Sequence, residues 1–357
     1  MQWRRSSIIL LALLSAPATA STSPLVERFF TDPGLAETRA IVVLQNGKPV
    51  AERYAPGYGP TTRFISWSMA KSVTATLVGQ LVDAGRLRLD APAPVPAWHV
   101  RAGDPRAAIT LADLLHMSSG LQHVETGPQV ENSDTNRALF SDRTADIVAA
   151  ATAMPLEARP GTKYSYSSVT SVILADIVQR TVAPAARTPA ERRAAMRAHL
   201  LAALIRPAGL PSLVCEFDAA GTMIGGSFCH ATASDWARFG QLYLNDGVTG
   251  GRAVVSPAWV RFVRTPAATD GGYGAHFWLN RPRPAGREAA LFPAAGPADA
   301  YAAIGHLGQY VIVVPSKHLV VVRLGKTQDD GLAATRAALG RLVNAYPDMP
   351  ATALQRQ

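Results

Sequence analysis

Cysteine is scarce: in 357 residues there are two, Cys215 and Cys229. With no third thiol and no Cys-x-x-Cys spacing, neither a zinc cluster nor a redox dithiol can organise this chain. Acidic residues are also few, 26 against 35 lysines and arginines, which leaves a formal charge of +9. The excess is scattered, for example at Arg86, Arg88, Arg192, Arg193, Arg197, Arg281, Arg283 and Arg287, with no interleaved aromatics. That pattern predicts a solvated basic surface and argues against a nucleic-acid groove. After the first twenty residues no apolar run of about twenty follows, so no integral membrane segment is expected. His116, His123, His230 and His276 lack the spacing of metal ligands and read as surface or packing residues. Glycine-rich pieces such as Gly271-Gly272-Tyr273-Gly274 do not follow a strand, so they read as turns and not as phosphate loops. No metal and no cofactor is expected.

What is present begins with an address. Arg4 and Arg5, the short apolar run Ile8–Leu14 and the small residues Ala18-Thr19-Ala20 have the form of a secretory signal peptide over residues 1–20, cut after Ala20. A retained anchor is the alternative. Export to the periplasm or the medium would put the two cysteines in an oxidising compartment, where a pair this close in sequence reads as a disulfide; two buried free thiols are the other reading.

Strand-like runs lie near both ends of the chain and helical ones between them. Ile41–Gln45 and Val50–Tyr54 alternate around Asn46-Gly47, a hairpin signal. Ala302–Gly305, Gln309–Pro315 and Leu319–Leu324 are apolar and β-branched, and Gly331–Tyr346 closes as a helix. Helices are expected over Ser68–Ala84, Thr110–His116 (with Thr110 and Asp113 as its cap), Asp142–Ala153, Ser171–Val182, Pro189–Leu204 and Ala233–Asn245. The polar stretch Gln122–Arg143 and the irregular stretch Thr265–Pro297 read as loops. This order fits an α+β fold in which an antiparallel sheet is built from both termini. Residues 21–90 and 250–357 would form the sheet region, and residues 91–249 a mostly helical one. A cleft is expected between them.

Three short stretches carry chemistry. Ser68 and Lys71 stand three apart at a helix start, so hydroxyl and amine share one face, and a desolvated lysine can take a serine proton. In Tyr164-Ser165-Tyr166-Ser167-Ser168, a phenol that titrates near pH 10 can carry protons only beside a cation, here Lys71. Tyr166 is preferred because Ser168 then sits two residues on, able to bond Lys71 or substrate, and Tyr164 reads as a packed aromatic. In Gly305-His306-Leu307-Gly308-Gln309 a glycine-lined strand edge lets substrate lie on backbone, and the Gln309 N–H with that of Ser68 would make a two-donor oxyanion hole.

Taken in order, Ser68-Met69-Ala70-Lys71, Leu114-Leu115-His116-Met117-Ser118-Ser119-Gly120-Leu121, Tyr166-Ser167-Ser168 and Gly305-His306-Leu307-Gly308-Gln309 resemble the β-lactamase-related serine hydrolases. That branch holds class C β-lactamases, D-alanyl-D-alanine carboxypeptidases, type VIII esterases and 6-aminohexanoate-dimer hydrolases. The stretch from Asp218 to Gly240 is also similar to it. The resemblance implies the serine β-lactamase fold and an acyl-enzyme mechanism with Ser68 as nucleophile, Lys71 as its base and Tyr166 as second proton carrier. It also implies substrate-binding positions at Ser168, His306 and Gly308. The departures bear on substrate. Ser-Asp-Asn is not found, Ser168 stands where asparagine is common, and His306-Leu307-Gly308 replaces Lys-Thr-Gly. A mostly neutral imidazole and a leucine make no charge-assisted clamp on a carboxylate. A small uncharged ester or linear amide is therefore expected as substrate. A β-lactamase or D-alanyl-D-alanine carboxypeptidase is the alternative enzyme, and a penicillin-binding-like module without turnover the alternative of another class.

Overall fold

A computed structural model describes residues 23–141 and 145–349. The expected signal peptide with its cut after Ala20, and Asp142 at the expected start of one helix, lie outside the described residues.

The run Ala-Ile-Val-Val-Leu at 40–44 is apolar on every residue, which suits a strand covered on both faces. It lies in β1 (Glu37–Gln45), joined to β2 (Lys48–Tyr54) through Asn46 and Gly47 at φ 52° and 73°. Both central residues in the left-handed region make the tight turn whose twist matches the hairpin. Three short strands make a second sheet, β3 (Arg63–Ile65) pairing with β5 (Cys229–Thr232), and β5 with β4 (Val214–Cys215). A small hairpin joins β6 (Val248–Thr249) and β7 (Arg252–Ala253). The C-terminal part supplies β8 (Trp278–Leu279), β9 (Tyr301–Gly305), β10 (Gln309–Val314) and β11 (Leu319–Lys326).

The main sheet is antiparallel, in the order β2-β1-β11-β10-β9-β8, so strands from the two ends of the chain meet at the β1–β11 ladder. Its side chains alternate between two cores. Ala40, Val42, Leu44, Val311, Val313, Val320 and Val322 face the larger one. Ile41, Val43, Ile312, Leu319 and Val321 face a smaller one, closed by residues of α1 (Pro24–Thr31) and of the C-terminal helix.

The remaining helices are α2 (Ala70–Asp83), α3 (Leu111–Leu115), α4 (Asp134–Phe140), α5 (Ile147–Thr152), α6 (Ser168–Val182), α7 (Pro189–Leu200), α8 (Arg206–Ala208), α9 (Ala233–Leu244), α10 (Pro257–Val263) and the terminal α11 (Leu332–Asn344). α3 opens with the capping box, Thr110 and Asp113 each bonding the other's backbone N–H. α9 lies across β1, β10 and β11. Two helix starts differ from the sequence reading. Ser68 precedes α2, in a single 3-10 turn over Trp67–Met69, while α6 begins at Ser168 because the Ser167 hydroxyl caps it by accepting from Thr170 N–H. Cys215 and Cys229 face each other across β4 and β5 and are joined by a disulfide. Among the described residues no helix is long and apolar enough to cross a membrane.

Candidate active site

The turn that carries Ser68 is a strained element held from outside. Trp67, immediately before Ser68, has φ 44°, in the left-handed region that costs a non-glycine residue about 1–3 kcal/mol. Its neighbour Ser66 pays for this through three bonds: Ser66 N–H donates to Cys229 O at 2.7 Å, Ser66 Oγ donates to Ser227 O at 2.9 Å, and Cys229 N–H donates to Ser66 Oγ at 3.0 Å. The indole of Trp67 packs on Phe140, Phe228 and His306. Ser68 is thereby presented at the mouth of α2.

One turn on, Lys71 is 1% exposed and its Nζ lies 2.9 Å from Ser68 Oγ, 2.7 Å from Ser168 Oγ and 2.8 Å from Gly226 O. Burial pulls the amine down to about 8, against a smaller upward pull from the charge of Glu125. Nζ also stands over the face of the Tyr166 ring, 4.8 Å from its centroid. From the sequence, Lys71 is expected to favour the phenolate. In the resting site the phenol is instead pushed well up, first by burial and then by the charge of Glu125, against weaker opposing hydrogen bonds to Ser68 and Trp278. Tyr166 is therefore held as the neutral phenol. Tyr164 points elsewhere, packing edge-on to Tyr273 and beneath Arg287.

Glu125 is the group that sequence reasoning missed. It lies in the Gln122–Arg143 stretch, whose residues 124–134 fold back on themselves through Asp134 N–H to Val124 O and Ser133 Oγ to Glu125 O. Its carboxylate accepts from Ser168 N–H at 2.7 Å, Ser168 Oγ at 2.5 Å, Thr135 Oγ1 at 2.6 Å and His123 Nε2 at 2.8 Å. Burial works to raise it, but the His123 bond, the charge of Lys71 and the Ser168 bond outweigh this and bring it down to about 2. His123 is a member of this network. His276 is a packing residue, set between Leu115 O and Ser171 Oγ.

The third motif needs a correction. Gly308 and Gln309 do not line the cavity; Ile304, Gly305 and His306 do. The reason is topological, since β9 stands between β10 and the cavity. Gln309 faces Gly305 across the ladder, its side-chain Nε2 donates to Gly325 O, and Gly308 is packed on Arg323 and Thr327. Gly305 presses on the turn that carries Ser68: a Cβ there would lie 2.2 Å from Ser66 O. Asn280 N–H donates to Ala300 O, and Trp278 pairs with Ala302, so β9 turns its even-numbered backbone groups outward. Beyond Ala302 the next N–H on that side is that of Ile304; His306 follows in the turn after β9, and both residues line the cavity.

The cavity itself measures about 390 Å³ and is walled by Trp67, Leu139, Phe140, Trp278 and Ile304 around Ser68, Glu125, Tyr166 and Ser168. Among the described residues that line it there is no lysine or arginine. None of the described His, Cys, Asp and Glu residues are grouped as a metal site.

A family model described as Beta-lactamase matches residues 30–345. The chain is 28% identical over 250 residues to the 6-aminohexanoate-dimer hydrolase of Paenarthrobacter ureafaciens, covering 67% of this chain and 61% of that protein. It is 30% identical over 234 residues to penicillin-binding protein 4 of Amycolatopsis lactamdurans, covering 57% of each. The chain thus spans about three fifths of the length of the curated relatives it matches. Among solved structures, a penicillin-binding protein homologue from Caulobacter crescentus superposes with a TM-score of 0.62 at 21% identity, over 88% of this chain and 95% of that one. A family VIII carboxylesterase gives 0.61 at 15% identity, over 88% and 98%. With the family's match covering most of the chain and a serine β-lactamase-like fold beneath it, the chain belongs to the β-lactamase family.

Proposed function

We propose that the protein hydrolyses an uncharged ester or linear amide through an acyl-enzyme on Ser68, outside the cytoplasm. The observation that carries this reading is the 2.9 Å contact between Lys71 Nζ and Ser68 Oγ, with the amine buried and lowered to about 8. At pH 7 about a tenth of such amines are neutral and able to accept a proton. Ser68 Oγ attacks the carbonyl carbon as its proton passes to Lys71. The N–H groups of Ser68 and His306 receive the developing oxyanion, His306 taking the place first expected of Gln309. Tyr166 gives its proton to the leaving group, and the phenolate formed is then favoured by the new Lys71 ammonium beneath its ring. Water attacks the acyl carbon, its proton returning to Tyr166 while Lys71 returns the first proton to Ser68.

Substrate class follows from the walls. An apolar, aromatic cavity with no lysine or arginine among its described lining residues, and with a carboxylate in its wall, disfavours an anionic substrate and suits a neutral one. The basic, apolar, small-residue pattern of the first twenty residues, together with the Cys215–Cys229 bridge, supports export to the periplasm or beyond. A panel of p-nitrophenyl esters, linear amides and nitrocefin tests the substrate class. Turnover of neutral esters or amides with nitrocefin inert is expected. Nitrocefin hydrolysis at catalytic rates would replace it with the β-lactamase reading.

A further inference from the structure

The third member of the tyrosine motif is a serine, and a hydroxyl is ambivalent: it can donate to Lys71 or accept from it. If Ser168 donated, its proton would occupy the amine lone pair that Ser68 needs. Resting on the Ser68–Lys71 reading above, we propose that Glu125 is a positioning residue which, by claiming the Ser168 hydroxyl proton, keeps Ser168 an acceptor and turns the Lys71 lone pair to Ser68.

The geometry leaves one arrangement of protons. A carboxylate only accepts, and Glu125 takes both the backbone N–H of Ser168 at 2.7 Å and its hydroxyl at 2.5 Å. Ser168 Oγ is left with lone pairs toward Lys71 Nζ at 2.7 Å, and Gly226 O at 2.8 Å is likewise an acceptor without alternative. A neutral amine has two N–H bonds and one lone pair. Both N–H bonds are consumed, so the lone pair meets the third contact, Ser68 Oγ at 2.9 Å. Glu125 is fixed in turn by Thr135 and His123 on its other face. The groups bearing charge or a titratable proton around the pair are Lys71, Glu125, His123, Tyr166 and, behind Lys71, His276. The charge of Glu125 also favours the Lys71 ammonium, so it fixes direction while raising the pH at which the base becomes free.

The test is Glu125→Gln, the isosteric change. The glutamine oxygen keeps the three donors Ser168 N–H, Thr135 and His123, which leaves its NH2 facing Ser168 Oγ and reverses that hydroxyl toward Lys71. We expect kcat/KM to fall about 10²-fold with the melting temperature held. The acid limb of the kcat/KM profile should move to lower pH, because Lys71 loses the anion that favours its charged form. A loop merely loosened would hydrate Lys71 and move that limb upward. Glu125→Gln combined with Ser168→Ala, which deletes the reversed hydroxyl, should exceed Glu125→Gln alone. Near-native kcat/KM in Glu125→Gln, an acid limb unmoved or raised, or a double variant slower than the single one overturns the proposal. Ser68→Ala keeps the two readings apart: turnover retained there sinks the Ser68 mechanism, whereas an inactive Ser68→Ala beside a fully active Glu125→Gln sinks only the role of Glu125.

Discussion

Gly305 stands against Ser66 so closely that a Cβ on it would lie 2.2 Å from the Ser66 carbonyl oxygen. The strand that walls the cavity and the turn that presents Ser68 are thus in backbone contact, with no side chain between them. Gly305→Ala must push β9 away from the turn. An overpacked core site costs about 1–3 kcal/mol, and a displacement of about 1 Å at the oxyanion position costs about 10²-fold in rate. Steady-state kinetics and urea denaturation of Gly305→Ala should show both losses; native kcat would mean β9 takes no part in the hole.

The two tyrosines are expected to separate cleanly. Tyr166→Phe should lower kcat by about 10²–10⁴-fold, the usual worth of a placed proton donor. The Tyr164 hydroxyl is buried without a hydrogen-bond partner, so its removal relieves a cost. Tyr164→Phe should leave kcat near native and the urea midpoint equal or higher. A larger kinetic loss in Tyr164→Phe than in Tyr166→Phe would transfer the role.

Much of this arrangement was legible in the sequence because its signals are local. The Asn46-Gly47 hairpin, the Thr110–Asp113 capping box and the Ser68–Lys71 spacing each sit within four residues, so periodicity and turn chemistry find them. Glu125 was not legible: its bonds to Ser168 span 43 positions and are closed by a loop whose fold depends on Asp134 and Ser133. The register of the last motif failed for another reason. Gly305-His306-Leu307-Gly308-Gln309 reads as strand entry, but Leu307 at φ 59° and Gly308 at φ 75° make it the turn of a hairpin, and the cavity wall is the strand before it.

His276 predicts acid lability. It is fully buried, and burial pulls it down to about 3, against a partly opposing hydrogen bond to Leu115 O. In the unfolded chain it titrates near 6.5, so between those values the unfolded state binds more protons. The stability it supports is complete above about pH 6.5 and drains as pH falls toward 3. Urea midpoints between pH 7 and 5 should fall for the native protein and fall less steeply for His276→Asn. Parallel slopes would remove His276 from the account.

The Cys215–Cys229 bridge closes a short loop, with a sequence separation of 14. Reducing it should cost about 3 kcal/mol by the loop-entropy relation. Ser66 is tied to Cys229 by backbone and hydroxyl bonds and not through sulfur. Urea denaturation with and without reductant should therefore show a lowered midpoint, while Ser68 still labels well below the transition. Unchanged stability on reduction would contradict the bridge.

The most direct measurement is peptide mass mapping after brief exposure to a fluorophosphonate, on the native protein and on Ser68→Ala. The account predicts one adduct, on the peptide that carries Ser68, with loss of ester turnover in step with labelling and neither adduct nor turnover in the variant. An adduct on another residue, or turnover that survives Ser68→Ala, would contradict it.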